Sequence, residues 1–218
     1  MLTPDTREGK ELLRTSLDHW LDVTFNSGIK VNAMPVTGYT ATGAASMYAW
    51  LGDSDKAYHY LDFFIKHDRV SPTTMYAEGN PVIESPLSFA TCIHDMLLQS
   101  WSGVLRVFPA APKAWGYVAF KDLRGHGAFL VSAMNNVGVT QFVTVKSLIG
   151  SPCVVQTDIV NPRIEIDGSP ARVKVRDDGS YEVPLKKGET VRFVSAASGV
   201  ADLKIMPIPV GEEGRNLF

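Results

Sequence analysis

Cysteine is scarce in this chain of 218 residues: there are two, Cys92 and Cys153, one in each half. That excludes a disulfide framework as the source of stability, and two buried free thiols fit better than one long-range bridge. Long apolar runs are missing as well. No stretch reaches the ~18–20 apolar residues that span a bilayer, and the opening Met1-Leu2-Thr3-Pro4-Asp5 has no secretory hydrophobic region, so no membrane partner is expected. Nor is there an excess of one charge. The 21 basic and 23 acidic residues are mixed and leave a net charge of −2, which gives no electrostatic basis for binding nucleic acid. The histidines, at 19, 59, 67, 94 and 126, show no ligand spacing, and there is no Gly-x-Ser-x-Gly elbow or phosphate loop. The residues call for no cofactor and no metal.

What is present is a globular composition, 45% hydrophobic, whose pattern changes near Gly103. Residues 1–103 read as helices. Thr3-Pro4 opens the first, Leu12, Leu13, Leu17, Trp20, Leu21 and Phe25 recur at helical spacing, and Ser27-Gly28 ends it. Residues 38–53 form a small-residue helix with almost no charge. Asp53 or Ser54 caps a third helix, with Ala57, Tyr58, Leu61, Phe64 and Ile65 as its stripe. Residues 69–84 read as a long loop, of the kind that is often functional. Ser85 caps a fourth helix, with Pro86 at its first position, that runs to about Ser102-Gly103.

From Val104 onward short strands separated by turn residues take over. They are expected at 104–108, 117–120, 127–134, 139–147, 152–159, 163–166, 171–175, 180–184 and 190–195, with turns at Asn135-Asn136, Asp167-Gly168, Asp177-Asp178-Gly179 and Lys187-Gly188. Even spacing of this kind predicts an antiparallel β-sandwich over 104–196, followed by an extended tail over 197–218. Helices followed by strands make the chain α+β. The uncharged helix implies cover on all sides, either by a missing N-terminal domain or by a second copy in a homo-oligomer.

Several segments together resemble one family of carbohydrate-active enzymes. These are the small-residue helix Tyr39–Trp50 running into Leu51-Gly52-Asp53-Ser54-Asp55-Lys56-Ala57, then Met96-Leu97-Leu98-Gln99-Ser100, then Val107-Phe108-Pro109-Ala110-Ala111-Pro112-Lys113-Ala114-Trp115, and finally Leu123-Arg124-Gly125-His126-Gly127-Ala128-Phe129. The combination is similar to the C-terminal part of glycoside hydrolase family 95, which includes α-L-fucosidases and related galactosidases. The resemblance implies the last helices of an α/α toroid followed by the sandwich, a carbohydrate substrate, and inverting hydrolysis of α-linked fucose- or galactose-type glycosides. It also implies that this chain alone is inactive, because an inverting enzyme uses two carboxyl groups and the family's general acid would lie upstream of Met1. If the intact protein carries a signal peptide, the location would be periplasmic or secreted.

The same resemblance assigns the general base to Glu84, twelve positions ahead of the Met96-Leu97-Leu98-Gln99-Ser100 run. Two departures accompany it. The family has Asp at this position, and Ser85-Pro86-Leu87-Ser88 replaces its Gly-Asn-Phe-Gly. From the residues alone Glu84 has two readings. The positive end of a helix favours a carboxylate there, either for catalysis or to satisfy helix N–H groups. Tyr76, Asn80 and Trp50 are candidate sugar contacts, since aromatic faces stack on sugar rings and amides bond hydroxyls in both directions, or else ordinary core and turn residues. Glu78 reads as an ordinary loop acid. Trp101 and Trp115 flank the junction and are expected to fasten the sandwich to the helices. The rival reading of the whole is a non-catalytic α+β module that binds carbohydrate or only packs.

Overall fold

The computed structural model describes residues 5–26, 28, 37–66, 76–78, 80–196 and 205, with the backbone alone for 76–78 and 80–82. The expected tail over 197–218 falls, apart from residue 205, outside the described residues. The chain is α+β: four helices precede two sheets. It divides into two compact units that part between Met96 and Leu97.

The helical unit contains α1 (Arg7–Asn26), α2 (Gly38–Trp50), α3 (Ser54–Lys66) and most of α4 (Glu84–Leu97). Thr6, three residues past the expected start, caps α1 by accepting the Gly9 N–H at 3.0 Å, and Leu17 and Leu21 are its buried contacts. Thr37 caps α2 through the Thr40 N–H at 3.2 Å. Ala41, Ala44, Ala45, Tyr48 and Ala49 are all buried on α2, and their i, i+3, i+4, i+7, i+8 spacing puts them on one face, while Tyr39 and Trp50 on the opposite side are exposed. Gly52, at φ 74°, reverses the chain in a conformation that glycine adopts without cost. Asp53 then caps α3, its Oδ1 accepting the Lys56 N–H at 3.2 Å. Ala57, Leu61 and Phe64 are buried on α3, while Ile65 at the end of the expected stripe is exposed.

The segment read as a loop contains a small antiparallel hairpin, β1 (Tyr76–Glu78) and β2 (Asn80–Val82), with Tyr76 opposite Val82 and Glu78 opposite Asn80. No helix among the described residues is long and apolar enough to cross a membrane.

The second unit is built from two sheets. One has six strands in the order β10-β9-β13-β7-β6-β5, made of β5 (Tyr117–Gly125), β6 (Phe129–Asn136), β7 (Val139–Ser147), β9 (Arg163–Ile166), β10 (Ser169–Pro170) and β13 (Thr190–Val194). The other has the order β11-β12-β8-β4-β3, made of β3 (Leu98–Gln99), β4 (Val104–Val107), β8 (Cys153–Gln156), β11 (Lys174–Val175) and β12 (Tyr181–Val183). The expected all-antiparallel pairing is corrected at one place, because β4 and β8 run parallel. A second correction concerns the end of α4. The helix stops at Leu97, and Leu98 and Gln99 pair with Val107 and Arg106 as a strand instead of continuing to Gly103. The pairing begins where Phe108 donates its N–H to the Leu97 carbonyl at 2.8 Å.

Alternation along the strands sends one face inward. Val131, Val143 and Phe193 of the six-stranded sheet and Leu105, Val155 and Val183 of the five-stranded sheet share one core. Burying each such side chain contributes about 1.5–3 kcal/mol. Both thiols are free and buried, Cys92 on α4 and Cys153 on β8. Ser147, fully buried at the end of β7, organises the next turn by accepting the N–H groups of Gly150 and Ser151 at 3.0 and 3.2 Å.

Candidate functional site in the helical unit

Glu84 occupies the first turn of α4 and is exposed to solvent. The helix begins two residues earlier than the sequence predicts: Ile83 supplies the first carbonyl, accepting the Leu87 N–H at 3.3 Å. Ser85 therefore lies inside the helix instead of capping it, and its buried hydroxyl has no hydrogen-bond partner among the described residues. Pro86 is accommodated because N–H groups in a first helical turn have no intrahelical acceptor. No ion pair among the described residues involves Glu84. Its carboxylate thus sits at the positive end of a helix, where backbone dipoles favour a negative charge.

Tyr76 and Asn80 lie on β1 and β2, and the hairpin register sets Tyr76 opposite Val82, two residues ahead of Glu84. The side chains of Tyr76, Glu78 and Asn80 lie outside the described residues. Trp50 is the last residue of α2 and keeps 39% of its surface exposed. Its side chain hydrogen-bonds Asp95 of α4, and Ser46 bonds the same carboxyl. Burial raises the Asp95 carboxyl above the usual carboxylate range, and these two bonds oppose the shift.

That contact belongs to a polar seam between α2 and α4. Ser88 donates to Thr42 at 2.8 Å and the Cys92 thiol to the Thr42 carbonyl at 2.8 Å, while the Ser46 hydroxyl, 3.1 Å from the Cys92 sulfur, has one proton to share between that sulfur and Asp95. The signal was present in the sequence as Thr42, Ser46 and Trp50 at four-residue intervals on one helix, with Ser88, Cys92 and Asp95 similarly spaced on another.

A second cluster joins α1, α2 and α3, and sequence reasoning did not find it. The Tyr48 hydroxyl donates to Asp18 Oδ1 at 2.5 Å, and Lys56 Nζ donates to the same oxygen at 2.9 Å while lying 4.8 Å from the centre of the Tyr48 ring. Tyr48 stacks on Tyr60 at 5.6 Å, and His59 meets Tyr60 edge-on at 5.0 Å. The two donors to Asp18, Tyr48 first, hold its carboxyl below the usual range, whereas burial pushes the Tyr48 phenol well above its own. These groups border a cleft of about 450 Å³. Asp22 and Asn26, joined by a 2.7 Å hydrogen bond, continue its polar edge along α1, and Leu21 and Phe25 supply an apolar wall.

In the second unit, Trp101 packs against Arg106, whose guanidinium carbon lies 3.9 Å from the ring centre, and its indole N–H donates to Gln99 at 3.2 Å. Trp115 lies in the turn before β5, and Phe108 packs on Phe120 at 5.2 Å.

The α+β arrangement, with two sheets closing over one core after a run of helices, defines the general class. The comparison with known families makes it specific: residues 99–193 match the model described as glycoside hydrolase family 95, C-terminal domain. Over those residues, a little under half of the chain, the two-sheet unit is similar to that C-terminal domain. A search of curated proteins finds no match to the chain.

Proposed function

We propose that the chain is the C-terminal part of a family 95-type glycoside hydrolase. Its helices would be the last of an α/α toroid, and its two sheets a β-sandwich. The intact enzyme would hydrolyse α-linked fucose- or galactose-type glycosides with inversion. The observation that carries this reading is the family match over residues 99–193, which begins two residues after a helix with the exposed Glu84 in its first turn.

In this reading Glu84 is the general base. An inverting base takes a proton from the water that attacks the anomeric carbon, so it must be ionised and reachable by solvent. An exposed carboxylate at a helix N-terminus supports both requirements. Glu reaches one methylene further than the Asp usual in the family, which shifts where the water it activates would sit. Tyr76 and Asn80 on the neighbouring hairpin and Trp50 at the end of α2 are the proposed sugar contacts. Because Trp50 is engaged with Asp95, its contribution would be the ring face.

The test is Glu84→Gln in the intact enzyme, assayed with aryl α-L-fucoside and α-galactoside. The expected outcome is retained sugar binding with turnover lower by about 10²–10⁴-fold, the usual contribution of a general base. Wild-type turnover in that variant overturns the assignment. The present chain is expected to release no product, since it supplies one carboxylate of the required pair.

A further inference from the structure

The cleft between α1, α2 and α3 has a composition that selects its ligand. From it we infer a second saccharide-binding site, one that accepts a neutral sugar ring and is independent of any role of Glu84. Its volume of about 450 Å³ falls within the range of small-molecule sites.

Three ligand classes are disfavoured by what lines it. Anions meet two carboxylates, Asp18 and Asp22, against one ammonium, Lys56, which already serves Asp18 at 2.9 Å. An organic cation finds the carboxylate beside the Tyr48 face already taken by Lys56, bonded to Asp18 and 4.8 Å from the ring centre, and is left only Asp22, whose Oδ1 already accepts from Asn26. A wholly apolar ligand would strip water from Asp22, Asn26 and His59 without replacing their hydrogen bonds, which is costly.

A neutral polyhydroxylated ring satisfies both walls. Its C–H face packs on aromatic surface, here Phe25 and Tyr60, while its hydroxyls, each donor and acceptor, bond carboxylate, amide and imidazole. The Asn26 amide donates to Asp22 Oδ1 at 2.7 Å, which leaves that carboxylate with free acceptor positions for hydroxyls. The Lys56–Asp18–Tyr48 bonds hold α1, α2 and α3 together at the cleft, so the walls exist before a ligand arrives and little ordering is needed on binding.

The test uses the whole chain and protein-observed NMR, titrating L-fucose, D-galactose and lactose, with glucuronate and glucosamine as charged controls. Asp22→Ala and His59→Ala alter exposed residues and leave the fold intact. Glu84→Gln separates this site from the proposed catalytic one. The expected result is saturable shifts of Phe25, His59 and Tyr60 ring signals with a neutral sugar. Glu84→Gln should leave those shifts unchanged, and Asp22→Ala or His59→Ala should weaken binding by about tenfold, as for loss of one hydrogen bond. Three results would overturn the inference: no saturable shift at those rings with any sugar, binding in both cleft variants as tight as in the unaltered chain, or tighter binding of either charged control.

Discussion

Arg14 and Asp53, on α1 and at the start of α3, form an ion pair at 2.8 Å whose carboxylate performs a second task. The Asp53 oxygen that Arg14 does not use caps α3 through the Lys56 N–H. One residue therefore starts a helix and fixes where another helix packs. Asp53→Ala should cost about 1–2 kcal/mol, mostly the lost cap, because half-exposed ion pairs contribute at most about 1 kcal/mol. Asp53→Asn keeps a capping oxygen and should lose less. Thermal unfolding of the two variants should place Asn between wild type and Ala, and an Ala variant as stable as wild type would remove the capping role.

The Asp18–Tyr48 pair makes stability fall at both ends of the pH scale. The Asp18 value is lowered on folding, so its contribution is present above the ordinary carboxylate range and is lost as pH falls through the folded value. The Tyr48 value is raised. The native state then keeps a proton that the unfolded chain gives up near pH 10, and stability declines as pH rises beyond that point. Tyr48→Phe should unfold at lower temperature near pH 7 yet show a shallower alkaline decline. Tyr60 and Tyr181, also raised by burial, should leave part of that decline in place. Urea midpoints measured from pH 7 to 11 would check this, and parallel curves for the two proteins would contradict it.

Both thiols should be inert in the native chain. Burial pushes Cys153 up to about 12 and also raises Cys92, and thiolate is the reactive form. Ellman's reagent at pH 8 is expected to find no fast-reacting thiol until denaturant is added, and then two. Rapid reaction of the folded chain would show that one of the two is accessible.

Two glycines of the sheet unit should respond differently to the same substitution. Gly150 and Gly188 both have positive φ, 85° and 89°, but a Cβ at Gly150 would come within 2.8 Å of the Lys187 backbone nitrogen, whereas one at Gly188 meets nothing within 4 Å. Gly188→Ala should cost about 1–2 kcal/mol, the conformational penalty alone. Gly150→Ala should exceed that, because backbone must move as well. Chemical unfolding of the pair would check the order, and equal losses would mean that the contact relaxes freely.

Much of the fold was legible because its signals are local. Short strand-like runs between turn signals marked β7 at 139–147 and β9 at 163–166, and both stand at those bounds. Helical spacing located α1 and α3, since an amphipathic stripe is written within a few residues. The errors fall where distant partners decide. Met96-Leu97-Leu98-Gln99 reads as one helical run, yet Leu98 and Gln99 are claimed by Val107 and Arg106 across the chain. β5 was expected to end at 120 but runs to Gly125, through an irregularity at Asp122, where φ is 57° and Ser132 accepts the backbone N–H at 2.9 Å.

The candidate site divides along the same line. The role of Glu84 as a base comes from the family resemblance, but that an acid stands there at a helix start was visible as a short-range pattern. The pairing of Trp50 with Asp95, and of Asp18 with Tyr48 and Lys56, was not, since those residues stand 30 to 45 positions apart. Propensity and periodicity, which act over one or two turns, determined where helices and strands form. Which side chains meet was decided by the packing of whole helices, because only there does burial raise the cost of an unpaired polar group enough to select its partner.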